Sequence, residues 1–174
     1  MTIDTFFDYE ELDRNARPGA FSTLDMEVLV PEVAKLVPGD IYLEVGVDKG
    51  KSLSVARMVA KEKVKVIGVD LKVDPQVKGT VFYQGDSVEV AKIYNDGLIS
   101  VLFIDGDHSY LGVKRDIDAW YPHVKEHGVI LFHDCDESSP GVMWAVSEFV
   151  YTHDCGFFLY KYNNKNTSMA RVLL

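Results

Sequence analysis

IYLEVGVDKGKS, residues 41–52, decides the fold of this chain. Ile41 to Val45 is a short apolar run that reads as a strand, and Ser52 opens a helical stretch to Lys61 with Leu53, Ala56 and Val59 turned inward. Between them, Gly46 lets the backbone turn tightly and Gly50 lets it approach a ligand closely. A strand feeding a helix through such a bend aims backbone N–H groups at an incoming carboxylate.

Outward from this unit the same alternation repeats. Ser22-Thr23-Leu24-Asp25 starts a helix that Pro38-Gly39-Asp40 ends. Val64 to Val69, Thr80 to Tyr83, Ile99 to Ile104 and Val129 to Phe132 read as strands. Ser87 to Tyr94, capped by Asp86 or Ser87, reads as a helix, as do Leu111 to Tyr121 and Pro140 to Tyr151. Leu111, Ile117 and Trp120 are the expected buried face of the second of these, and Lys114-Arg115-Asp116 a solvated face. Phe157 to Tyr162 and Ser168 to Leu173 form a last pair of strands around an Asn163-Asn164-Lys165-Asn166 turn. The pattern predicts an α/β fold: a Rossmann-like, mostly parallel seven-stranded sheet with helices on both faces. The final two strands have no helix between them and pair antiparallel. Residues 1–23 read as an N-terminal arm, ordered in part by Phe6 and Phe7, ahead of a single domain over residues 24–174.

The 174 residues suit one domain, and their net charge of −9 repels phosphate backbones, so a nucleic-acid partner is not expected. The two cysteines, Cys135 and Cys155, are too few for a disulfide framework and lack zinc-site spacing. Met1 to Glu11 holds four acids and no apolar run, so no signal peptide is expected, and no stretch is long enough for a membrane helix. A cytoplasmic protein with no membrane partner is expected.

Open α/β sheets bind ligands beyond the carboxyl ends of their strands. At those ends stand Glu44 with Gly46, then Asp70, Asp86, Asp105 and Asp134. Each acid alone suits a turn or a helix cap; together they describe a binding edge. A dinucleotide would need a second glycine where Asp48 stands, and Asp48 adds charge beside a pyrophosphate. Adenosylmethionine, with a cationic sulfonium and an ammonium, gains from the same acids. Glu44, Gly46, Gly50 and Ser52 are then expected at its methionine end, Asp70 on the ribose hydroxyls, and Asp86 with Ser87 at the adenine.

A second block is more distinctive. Residues 103–110 read FIDGDHSY, followed by Gly112-Val113-Lys114-Arg115-Asp116, then GVILFHD over residues 128–134, then Pro140-Gly141-Val142 and Ala145-Val146. With the Glu44–Ser52 loop, this resembles the class I methyltransferase group called methyltransferase family 24, which is similar to macrolide sugar O-methyltransferases and cephalosporin hydroxylase-like proteins. The resemblance covers most of residues 41–150. It implies adenosylmethionine as cofactor and methyl transfer to a hydroxyl of a small molecule. It further implies Mg²⁺ on Asp105 and Asp134, with Asp105 also at the cofactor and in the chemistry, and His108 as general base. Neighbouring strands lie ~4.8 Å apart, close enough for two carboxylates to share one hard cation. The metal-dependent relatives carry a second acid beside the position of Asp134, where this chain has His133 and Cys135. A non-catalytic binding protein on the same fold and a nicotinamide-dependent oxidoreductase stay open as alternatives, as does a homodimer.

Overall fold

The structure, a computed structural model, describes residues 7–72, 74–161 and 168–174. Helix α1 (Tyr9–Asn15) and helix α2 (Thr23–Lys35) precede β1 (Ile41–Val45), α3 (Lys51–Val59), β2 (Lys65–Asp70), β3 (Val81–Gln84) and α4 (Ser87–Ile93). Then come β4 (Ile99–Ile104), α5 (Tyr110–Trp120), a 3₁₀ turn (Tyr121–His123), β5 (Val124–His133), α6 (Pro140–His153), β6 (Gly156–Lys161) and β7 (Ser168–Leu173). The strands form one seven-stranded sheet in the order β3-β2-β1-β4-β5-β7-β6. β1 to β5 are parallel, and β7 runs antiparallel to both β5 and β6. The expected Rossmann-like fold with its antiparallel terminal pair is the observed one.

Period-two alternation divides the core. On β1, Ile41, Leu43 and Val45 face the cluster built with α4, α5 and α6, which includes Val113, Ile117, Trp120 and Phe149. Tyr42, between them, joins the cluster of α2 and α3, with Leu29, Val33, Leu53 and Ala56. Both faces are therefore covered, and the strands read as continuous apolar runs because each residue is buried on one face or the other.

Several details differ from the sequence reading. The stretch read as an arm contains α1, whose N-cap Asp8 accepts from the Glu11 amide. α3 starts one residue early, at Lys51, because Gly50 caps it at φ 82°, and it stops at Val59 because Ala60 turns extended. There Arg57 donates to the carbonyls of Ala60, Lys61 and Val64. β5 begins at Val124, ahead of the expected Val129. On α5, Leu111 is 68% exposed and the buried stripe is Val113, Asp116, Ile117 and Trp120. Two residues turn a helix by about 200°, so Leu111 points away from that stripe. The 163–166 turn and Phe6 lie outside the described residues. No described helix is long and apolar enough to cross a membrane.

Candidate functional site

The bend after β1 is held by Asp70, the last residue of β2. Its Oδ2 accepts from the amides of Val47 and Asp48, both at 2.8 Å, and its Oδ1 accepts from the Lys72 amide at 2.7 Å. Lys72 in turn pairs with Asp48 at 2.7 Å. Gly46 sits at φ 88°, and a Cβ there would meet the Asp105 carbonyl oxygen at 2.3 Å. Only glycine lets the β1 and β4 ends approach this closely.

Glu44 departs from expectation. Its side chain follows Tyr42 on the α3 face, so it is fully buried beneath the bend and lines neither cavity described below. It accepts from the Tyr42 hydroxyl at 2.7 Å and from the Ser52 hydroxyl at 2.5 Å. Burial pushes its carboxyl up to about 8, against the opposing effect of those two hydrogen bonds. Glu44 thus anchors the start of α3 through Ser52 rather than reaching into the cleft itself.

Two cavities meet along this edge, and both are bordered by Gly46, Asp70 and Gly106. The first, about 280 Å³, lies over β1 and β2 and is walled by Val45, Val69, Leu71, Val88, Asp86 and Asp116, among others. Asp86 caps α4 by accepting from the amides of Val88 and Glu89. Ser87 accepts from the Trp120 indole at 2.7 Å, which locks α4 onto α5. Asp116 was not expected here. It is 7% exposed, and burial raises its carboxyl to about 6 although Ser87 faces it. The signal was its spacing with Val113, Ile117 and Trp120; its charge and its charged neighbours hid it. Arg115 also borders this cavity, 3.6 Å from Asp86.

The second cavity, about 320 Å³, runs from Gly19, Ala20 and Phe21 past Val47 and Ser52 to Asp105, His108, His133 and Asp134. Lys49, which also borders it, accepts at its carbonyl from the Arg17 side chain at 3.0 Å. β4 and β5 are paired up to Ile104 and Phe132, so the next residues abreast are Asp105 and His133, not Asp105 and Asp134. Asp134 turns back at φ 51°. His133 Nδ1 consequently lies 3.2 Å from Asp105 Oδ1 and 3.3 Å from Asp134 Oδ2, while its Nε2 lies 3.3 Å from Asp25 Oδ1. Burial alone would lower this imidazole, but the three carboxylates outweigh it and push it up to about 12. His108, 41% exposed at the mouth, places Nε2 3.6 Å from both Asp105 Oδ1 and Asp134 Oδ2. Burial would raise Asp105, yet the two facing imidazoles hold it below its ordinary value. One ligand atom each from Asp105, His108 and Asp134 can lie within 4.8 Å of one another.

The model of a family described as a methyltransferase domain, methyltransferase family 24, matches residues 43–135. This chain belongs to that family. The matched span runs from β1 through the Asp134 turn of this family 24 domain and so contains the strand ends at Gly46, Asp70, Asp105 and Asp134 that border the two cavities. Among curated proteins, it is similar to the uncharacterized protein R132 of Acanthamoeba polyphaga mimivirus, 37% identical over 131 residues, which cover 63% of this chain and 58% of that protein. The family 24 chain thus spans less than two thirds of that relative's length. Among solved structures, it resembles an O-methyltransferase from Bacillus cereus in complex with SAH at TM-score 0.69 and 13% identity, covering 99% of this chain and 94% of that one. It also resembles MycE, a methyltransferase of the mycinamycin biosynthetic pathway in complex with Mg and SAH, at TM-score 0.68 and 18% identity, covering 95% of this chain and 53% of that one. At these identities the structural likeness establishes the shared fold.

Proposed function

We propose that this family 24 chain is an adenosylmethionine-dependent methyltransferase acting on a hydroxyl oxygen of a small molecule. The observation that carries the reading is the two-lobed cleft: one lobe walled by Asp70, Asp86 and Asp116, the other ending in the Asp105, His108 and Asp134 cluster, with Gly46, Asp70 and Gly106 at their junction. The fit to the cofactor rests on this chain's own groups. Backbone at Gly46 leaves no side chain in the junction. Asp70 Oδ1, which accepts from one amide, retains room for a ribose hydroxyl, and apolar Val69, Leu71 and Val88 beside Asp86 suit a purine. When bound, adenosylmethionine supplies a methyl carbon already activated by its sulfonium.

The protein's work is then alignment and one proton. An acceptor hydroxyl in the second lobe lies among His108 Nε2 and the oxygens of Asp105 and Asp134, all turned toward one point. Asp105 and Asp134 orient it, and His108 takes its proton as the oxygen attacks. Phe21 and the Gly19-Ala20 backbone border this lobe and limit water. The carboxylate pair also fits a hard divalent cation: Asp105 and Asp134 would hold Mg²⁺, which would supply Lewis acidity to a bound hydroxyl.

Calorimetry with adenosylhomocysteine, followed by mass spectrometry of small alcohols incubated with adenosylmethionine, tests the reading. Saturable binding and a product heavier by one CH₂ support it. No binding overturns it, and binding without transfer to any alcohol replaces it with the non-catalytic alternative.

A further inference from the structure

Among the described residues, β6 is the last strand of the sheet and pairs only with β7. Exposed edge strands are ordinarily blunted by a central charge, a proline or a bulge. Gly156-Phe157-Phe158-Leu159-Tyr160-Lys161 has no charge before its final residue and no proline. Its register with β7 runs unbroken from Gly156 against Leu173 to Lys161 against Ser168. Phe157, Phe158 and Leu159 are 41%, 49% and 44% exposed. Successive residues alternate faces, so apolar surface is open on both sides of this strand. Phe158 is also braced: the Arg171 guanidinium lies 5.6 Å from its ring centre, and Arg171 is fixed by Glu32 at 3.0 Å. The opposite edge, β3, is shorter, at four residues.

We propose that this edge is an interface with a second copy of the chain, β6 lying antiparallel to β6 across a two-fold axis. Such an axis normal to the sheet reverses strand direction while keeping each side chain on its own face. A residue near the middle must then face its own copy, which makes the contact self-complementary and closed at two subunits. Centred on Phe158, the pairing sets Phe157 against the partner's Leu159. It also brings Lys161, which pairs with Glu137 of its own chain, opposite the partner's Cys155 and beside the partner's Asp154, so the ends of the ladder carry no like charges against each other. The unpaired N–H and C=O groups of both edges are satisfied together, and six exposed apolar side chains leave water. The candidate site lies at the carboxyl ends of β1, β2, β4 and β5, separated from this edge by β7, so its cleft stays open.

Sedimentation velocity on the full chain over a wide concentration range reads the assembly. The expected result is twice the chain mass, falling to a single mass in Phe158→Lys, whereas Leu111→Lys, at a more exposed apolar position away from β6, stays at twice the mass. Adenosylhomocysteine binding by Phe158→Lys is expected to match the unaltered chain, which separates failure of this interface from failure of the functional reading. A chain that is single at every concentration, that forms larger species, or that stays double in Phe158→Lys overturns the proposal. If that variant does not fold, hydrogen exchange of the β6 amides in the unaltered chain decides: slowing with concentration supports the pairing, and independence of concentration overturns it.

Discussion

His133 Nε2 lies 3.3 Å from Oδ1 of Asp25, a residue of α2 that is 1% exposed. The same carboxylate uses Oδ2 to accept from the amide and hydroxyl of Ser22, both at 2.7 Å, closing the capping box of α2. One side chain therefore joins the N-terminal helix to the carboxylates at the far end of β4 and β5. Both ring nitrogens of His133 lie within 3.3 Å of carboxylates, and the contact of Nε2 with Asp25 is one of charge, without the alignment of a hydrogen bond.

Asp25→Ala should be among the most damaging single changes. It removes the Asp25 half of the capping box, leaving Ser22 as the N-cap, and takes a carboxylate away from the largely buried His133; a buried ion that loses its partner typically costs about 3–5 kcal/mol. Asp25→Asn keeps an acceptor for Ser22 and should lose less. Urea denaturation of the two variants checks the order; equal losses would show that the charge facing His133 alone matters and the capping contact does not.

Gly46→Ala should abolish cofactor binding more completely than it harms stability. The added Cβ would stand 2.3 Å from the Asp105 carbonyl oxygen at φ 88°, so the bend must move away from β4 and carry the junction of both cavities with it. Gly39→Ala, also at positive φ (97°) but with nothing within 4 Å, is the control for backbone strain alone. Calorimetry with adenosylhomocysteine should show loss of binding in the first and retention in the second.

The alternation of strands and helices, and hence the sheet, was legible because buried parallel strands are continuous apolar runs and each ends in a marked turn. What the site does with its acids was less legible. Glu44 was placed at the ligand because it ends a strand, but side-chain parity sends it under the bend with Tyr42. His133 and Asp134 were a register question: which of them stands beside Asp105 depends on how β5 pairs with β4, and sequence spacing does not specify that. Asp25 lies 80 residues from Asp105 in sequence, and only tertiary packing brings both onto His133. Asp116 was hidden by its charged neighbours although its helical spacing matched the core.

Away from the site, Asp40 ties β1 to β5. Its Oδ1 accepts from Lys125 and from the Ser100 hydroxyl, at 2.8 and 2.7 Å. Burial would raise this carboxyl, but those bonds and the Val37 amide outweigh it and lower it to about 2. A depressed folded value means that its stabilisation is complete above the unfolded value of 3.8 and is lost as pH falls from there toward 2. Asp40→Asn should cost about 1–2 kcal/mol at neutral pH and blunt the loss over that acid window. Denaturant midpoints of both proteins across the window provide the check.

Glu44 predicts the opposite sign. Its folded carboxyl is raised to about 8 from 4.5, so between these values the folded chain keeps a proton that the unfolded chain releases. Stability is therefore greatest below 4.5 with respect to this group, declines as pH rises, and levels off above 8, a span on the order of a few kcal/mol. Glu44→Gln mimics the protonated form: its amide oxygen accepts as the carboxyl does and its NH₂ replaces the acid proton. The variant should match the unaltered chain below that window and be the more stable of the two above it. Because Ser52 lies in the first turn of α3 beside the bend, the same ionisation should loosen the loop, and adenosylhomocysteine affinity should fall with rising pH in the unaltered chain and much less in Glu44→Gln. Parallel pH series of urea midpoints and calorimetric affinities test both limbs. A flat difference between the two proteins across the window would mean that Glu44 stays ionised in the fold and that Tyr42 and Ser52, not burial, govern it.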